Sequence, residues 1–150
     1  MDEIDDMRTN PSPGAHTLVL YRPSARADEA LRSLCLAASL RGSVVTVLAL
    51  AAEERPSSRC CDTRSVLWNQ ICRDLARDDL ARAAQVVEDQ ARVDFDVLVA
   101  APGRQAVDAV TREALARGAD EIVLADPPAS GLGRLERRRL RRSSPVPVSA

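Results

Sequence analysis

The stretch Gly118-Ala119-Asp120-Glu121-Ile122-Val123-Leu124-Ala125 decides the fold. Before it, Val107, Val110 and Ala114 recur at helical spacing within 104–117, so that segment is a helix with one apolar face. Gly118 stops it, because glycine accepts the left-handed backbone that commonly closes a helix. The apolar run 121–125 follows at once and is a strand.

The same alternation repeats outward in both directions. Strands are expected at 17–21 (TLVLY), 43–50 (SVVTVLAL), 94–100 (DFDVLVA) and 145–149 (PVPVS). The run 43–50 is almost continuously apolar, as in a parallel sheet covered on both faces. The prolines of 145–149 cannot donate ladder hydrogen bonds and place that strand at an edge. Helices are expected at 25–41, about 64–92 and 132–142. Leu31, Leu34, Cys35 and Ala38 share the inner face of the first, and Trp68, Cys72, Leu75, Leu80, Ala83, Val87 and Ala91 that of the second, with Trp68 covering one end of the core. Strict β-α alternation with short connections implies an α/β domain: one open parallel five-stranded sheet with helices on both faces. Residues 1–16 are polar and aperiodic, so a flexible tail is expected there and the domain spans 17–150.

Composition narrows the function. The chain has 150 residues, a net charge of −1 and only one Trp, one Tyr and one Phe. A near-neutral chain without an aromatic platform argues against a nucleic-acid partner. All 21 basic residues are Arg, six of them in 134–142. That run suits the solvated face of a helix near its C-terminus. No apolar run is long enough to cross a membrane, and the acidic start lacks a secretory h-region, so a cytoplasmic protein with reduced thiols is expected. The four cysteines form no Cys-x2-Cys pair, and the one His, His16, falls in the tail, so neither a metal site nor His-based catalysis is expected. Cys35 and Cys72 lie on apolar helix stripes as core residues; Cys60 and Cys61 fall in a loop, where the sequence does not decide between inert and redox-sensitive thiols.

Several segments, in order, resemble one known family. Residues 118–125 resemble the "GAD-x-IV-x-G" segment of the universal stress proteins, 145–148 (PVPV) that family's terminal "PCPV", and Leu18-Val19-Leu20-Tyr21-Arg22-Pro23-Ser24 its opening "LVAVDGS"; Gly103 matches a Gly after the third strand. The resemblance covers about 17–149 and implies a Rossmann-like sheet in the order 3-2-1-4-5. It also implies a homodimer, with the C-terminal strand often at the interface, in a stress response.

In such sheets ligands bind at the carboxyl ends of the strands, where the strand order reverses. Here that crevice gathers Arg22, Ser24, Asp126, Ser130, Gly131 and Gly133. Family members that bind ATP use an Asp after the first strand and a loop G-x2-G-x9-G-[ST] after the fourth, whose backbone N–H groups hold phosphate. This sequence has Arg22 at the Asp position, Ala125-Asp126 where the loop should open, and Gly131 and Gly133 only one residue apart. Ser130, Gly133, Ser143 and Ser144 reproduce the spacing with Ser for both outer glycines, but Ser144 directly precedes the last strand and leaves no room for a helix. The expectation is a regulatory or binding module with no cofactor, its ATP site lost, acting through an unidentified protein partner. An ion pair between Arg22 and Asp126 would close the crevice. The alternative is a sensor that takes a nucleotide or another anion there through Arg22 and the loop 126–133.

Overall fold

The computed structural model describes residues 15–54, 63–88 and 92–150. The expected tail, apart from its last two residues, and the Cys60-Cys61 pair lie outside them. The elements run β1 (His16–Leu20), α1 (Ala25–Arg41), β2 (Val44–Ala52), α2 (Thr63–Val87), β3 (Arg92–Ala100), α3 (Arg104–Ala116), β4 (Glu121–Leu124), a 3-10 turn (Pro127–Ala129), α4 (Arg134–Ser143) and β5 (Val148–Ser149). The sheet has five parallel strands in the order β3-β2-β1-β4-β5.

Alternation along β1 divides the core in two. Val19 and Tyr21 face α1 and α2 with Val45, Val47, Ala49 and Ala51 of β2. Leu18 and Leu20 face the other side, where Val107 and Val110 of α3, Ile122 and Leu124 of β4 and Leu140 of α4 pack. Both sides of the central strands are dry, as their apolar sequence requires.

The helices start and stop for local reasons. Ser24 caps α1, its hydroxyl accepting from the Ala27 N–H at 2.9 Å. Gly42 ends α1 at φ 68, with Arg41 in the last turn against the dipole. One hydrogen-bonded cluster, with Tyr21 and Asp28 buried and Arg82 half exposed, ties both helices of the first layer to the end of β1. The Tyr21 hydroxyl donates to Asp28 Oδ1 at 2.5 Å, and Arg82 Nη2 of α2 donates to Asp28 Oδ2 at 2.8 Å. Burial pushes the Asp28 carboxyl up, but hydrogen bonds from Tyr21 and Arg82 and the charges of Arg82 and Arg32 outweigh it and hold it below the usual carboxylate range. Burial, and then the Asp28 carboxylate, push the Tyr21 phenol well above its ordinary value.

Four expectations are corrected. The helix expected to run to 92 ends at Val87; Glu88 takes a left-handed φ of 44, and β3 starts at Arg92 to hold a nine-residue register with β2. The inner face of α2 is Ser65, Cys72, Ala76, Leu80, Ala83 and Val87, while Trp68 and Leu75 face solvent. Small residues let α2 sit close to the sheet, so Ala76 is buried and the larger Leu75 beside it is not. His16 is no part of a tail: it opens β1, its Nδ1 donates to the Arg117 carbonyl at 3.0 Å, and Thr46 Oγ1 lies 2.7 Å from its Nε2. Asp120 accepts from the His16 N–H at 2.8 Å, so the acid of the 118–120 segment fixes the start of β1. Finally, β5 shrinks to Val148–Ser149, because the flanking Pro145 and Pro147 have no N–H.

Candidate functional site

The strand order reverses between β1 and β4, so the crevice opens where Tyr21–Ser24 and Ala125–Gly133 leave the sheet. Three helix N-termini point toward it: α1 after β1, α3 after β3 and α4 after the loop that follows β4. Each carries a partial positive charge and unpaired N–H groups, which is the usual means of holding phosphate.

Here the chain's own carboxylates serve those N-termini. Ser24 Oγ, the cap of α1, donates to Asp126 Oδ2 at 2.8 Å and bridges the ends of β1 and β4 across the reversal. Glu136, in the first turn of α4, accepts from the Gly133 N–H through Oε1 and from the Gly103 N–H through Oε2, both at 3.2 Å. Gly133 and Gly103 are the caps of α4 and α3, so one carboxylate spans two helix N-termini.

The loop between Asp126 and α4 is folded onto this closure. Arg137 Nη1 donates to the carbonyls of Pro127 (2.8 Å) and Leu132 (2.9 Å). Ser130 is buried, its hydroxyl donating to the Pro127 carbonyl at 2.8 Å. Gly131, at φ 91, lies so near Leu50 that a Cβ would stand 3.3 Å from the Leu50 side chain. The space left, lined by Arg22, Leu50, Pro102, Gly131 and Glu136 among others, is about 70 Å³. Small-molecule sites usually hold roughly 300–1,000 Å³. A larger groove of about 450 Å³ lies beside the β3 edge, where Glu53, Gln105, Asp108 and Arg112 line it.

Of the six expected site residues, Arg22 and Gly131 line the small cavity, Ser24 and Asp126 bond each other, Ser130 bonds within its loop, and Gly133 bonds Glu136. The Arg22–Asp126 ion pair does not form among the described residues. Asp126 is taken by Ser24, and exposed Arg22 turns its field toward Asp79 of α2, where it opposes the burial that raises that carboxyl. The Arg–carboxylate reading favoured the stronger interaction, whereas the cap serine is nearer and pre-placed. Sequence reasoning missed Glu136 and set Arg137 on a solvated helix face, whereas the end of β2 at Leu50 was expected at the strand ends and does line the crevice. Glu136 had a signal: an acid three residues after a helix cap is placed to reach back to the cap N–H. Among the described residues no three His, Cys, Asp or Glu side chains could hold a metal, and no helix is long and apolar enough to cross a membrane.

No protein-family model matches the chain, and no curated protein matches it significantly by sequence. Solved structures do match. A protein of the universal stress protein family from Burkholderia pseudomallei superposes with a TM-score of 0.69 at 16% identity, over 94% of this chain and 98% of that one. The universal stress protein UspA from Lactobacillus plantarum gives 0.66 at 14%, over 93% and 97%. The universal stress protein from Archaeoglobus fulgidus, solved in complex with dAMP, gives 0.58 at 18%, over 91% and 95%. With the strand order, these likenesses establish that the chain has the universal stress protein fold.

Proposed function

We propose that this chain is a universal-stress-protein-like regulatory module, cytoplasmic and non-catalytic, that forms a homodimer, has lost ATP binding and acts through protein contacts. One observation supports the loss of ATP: at the helix N-termini that would hold phosphate, Glu136 accepts from the cap N–H groups of α3 and α4 and Asp126 from the cap hydroxyl of α1. A phosphate entering there would meet two carboxylates at close range, and like charges in a partly dry crevice repel strongly. The 70 Å³ of remaining space supports the same reading.

The test is mass spectrometry of the small molecules released when freshly purified protein is denatured, followed by calorimetric titration with ATP and AMP. The expected result is no adenine nucleotide released and no dissociation constant tighter than millimolar. Release of near one nucleotide per chain would overturn the reading. It would favour the second one, a sensor whose crevice opens when Glu136 swings away and whose Arg22 meets the anion. That alternative draws on the dAMP carried by the similar Archaeoglobus fulgidus protein and on Arg22 in the crevice wall.

A further inference from the structure

Helix α4 turns a cluster of arginines to water. Leu140 packs into the core, while Arg134, Arg138, Arg139, Arg141 and Arg142 are exposed across the outward side, within about 12 Å along the helix axis. Among the described residues none of the five forms an ion pair. The two charged residues nearer the core are already engaged, Arg137 by loop carbonyls and Glu136 by two cap N–H groups.

This arrangement works against the helix. Arg134 and Arg138, and Arg138 and Arg142, are like charges four residues apart, which repel on a helix surface. Arg134 also stands at the first helical position, where a cation opposes the dipole. A local conflict without compensation in the described fold points to a negatively charged partner for the face. Leu135, 78% exposed, stands one turn from Arg138 and Arg139, so the partner brings an apolar group as well as acids. That mixture fits a protein segment better than a phosphate backbone.

We propose that the partner is this chain's own segment 2–6, held across the outward side of α4. The segment reads Asp2-Glu3-Ile4-Asp5-Asp6, four acids around one Ile, and it opposes in charge the five arginines around Leu135. The chain can reach. Nine residues lie from Asp6 to Ala15, and an extended stretch of that length spans about 30 Å. Ala15 leads into the start of β1, and α4 leads into the start of β5, which is parallel to β4 as β4 is to β1. Only β4 separates those two strands, so they lie about 10 Å apart. The last turns of α4 are therefore at the end of the sheet where β1 begins. Arg41 and Arg92 also lie at that end, two cations against the five of α4. A tethered segment acts at an effective concentration on the order of millimolar, so individually weak contacts suffice. The contact is independent of the reading of the crevice.

Two-dimensional NMR of the full chain at low salt tests the proposal, read on the α4 amides and the arginine Nε–Hε signals. The probe variant carries Asp2→Asn, Glu3→Gln, Asp5→Asn and Asp6→Asn together. The signals of Arg138, Arg139 and Arg142 should shift between wild type and variant, and salt at about 0.5 M should move the wild type onto the variant. In return, Arg138→Gln with Arg142→Gln should shift the amides of 2–6; both arginines are exposed, so this variant keeps the wild-type fold. Single-stranded RNA, titrated as a competing polyanion, should bind the acid-neutralised variant at least about threefold more tightly than the wild type. Shifts confined to 1–14, with α4 unmoved, would overturn the contact, as would equal affinity of both proteins for RNA. Shifts at Arg41 and Arg92 in place of α4 would overturn its site. Shifts that grow with protein concentration would overturn the tethered contact in favour of one between copies.

Discussion

Replacing Glu136 by Ala strips a shared acceptor from two helix caps. The Gly103 contact is partly shielded and the Gly133 contact is exposed, and at 3.2 Å both are long for charge-assisted bonds. A shielded hydrogen bond to a charged group contributes about 1.5–3 kcal/mol; discounted for exposure, the pair together should contribute about 1–2 kcal/mol. For a chain of this length that lowers Tm by about 2–8 °C, read by far-UV circular dichroism. The vacated N–H groups should then accept a dianion. Sulfate at 100 mM against a site of about 10 mM affinity returns about 1.4 kcal/mol, so sulfate should raise the Tm of Glu136→Ala more than that of the wild type at matched ionic strength in chloride. Equal melting of the two proteins within about 1 °C, with the same response to sulfate, would refute the reasoning. Glu136 would then be a surface carboxylate that happens to lie near two caps.

Other perturbations probe the rest of the structure. Tyr21→Phe removes the buried donor to Asp28 and should cost about 1–2 kcal/mol in urea unfolding; a change below about 0.5 would show that Arg82 alone satisfies the carboxylate. Because the folded Asp28 pKa is depressed, its contribution is fully present above the unfolded value of about 3.9 and is lost as pH falls through the lower folded one. Asp28→Asn should therefore flatten the acid limb of stability against pH, and an unchanged slope would contradict the assignment. Ser24→Ala removes the cap of α1 and the partner of Asp126, and should cost about 1–2 kcal/mol by the same assay. Cys35 is fully buried, with its thiol pushed up to about 11, so it should resist alkylation in the native protein and react on unfolding, while half-buried Cys72 reacts sooner; mass spectrometry of the labelled chain reads the order.

What the sequence reveals of this fold follows from which interactions are local. Strand 43–50 is apolar because both its faces are covered, and Gly42 and Gly118 close helices by their own backbone freedom, so these elements are legible residue by residue. The inner face of α2 is less so. Large apolar side chains dominate a periodicity argument, but close packing on the sheet selects Ser65 and Ala76 and sends Trp68 and Leu75 outward. The crevice is legible as a place and not as a set of bonds. Position along the chain brings Arg22, Ser24 and Asp126 to the strand ends, but whether Asp126 meets an arginine or a cap hydroxyl is decided by directions across the sheet. Glu136 meets Gly103 from 33 residues away, a pairing no local pattern contains.

The departures from the ATP-binding pattern make physical sense as a set. With Asp absent after β1 and glycines misplaced after β4, three helix N-termini would face one another across the crevice without an anion. Unpaired N–H groups and aligned dipoles in a partly dry space are costly, so a crevice that gives up phosphate needs a replacement negative charge. On the proposed reading Glu136, on two cap N–H groups, and Asp126, on the cap hydroxyl of α1, supply that charge, and Arg137 braces the loop that carries one to the helix that carries the other. A tethered carboxylate acts at an effective concentration on the order of millimolar or above, so a free phosphate compound of millimolar affinity competes poorly with it. On the reading proposed above, the exclusion of an external phosphate and the stability of this end of the fold rest on the same two acids.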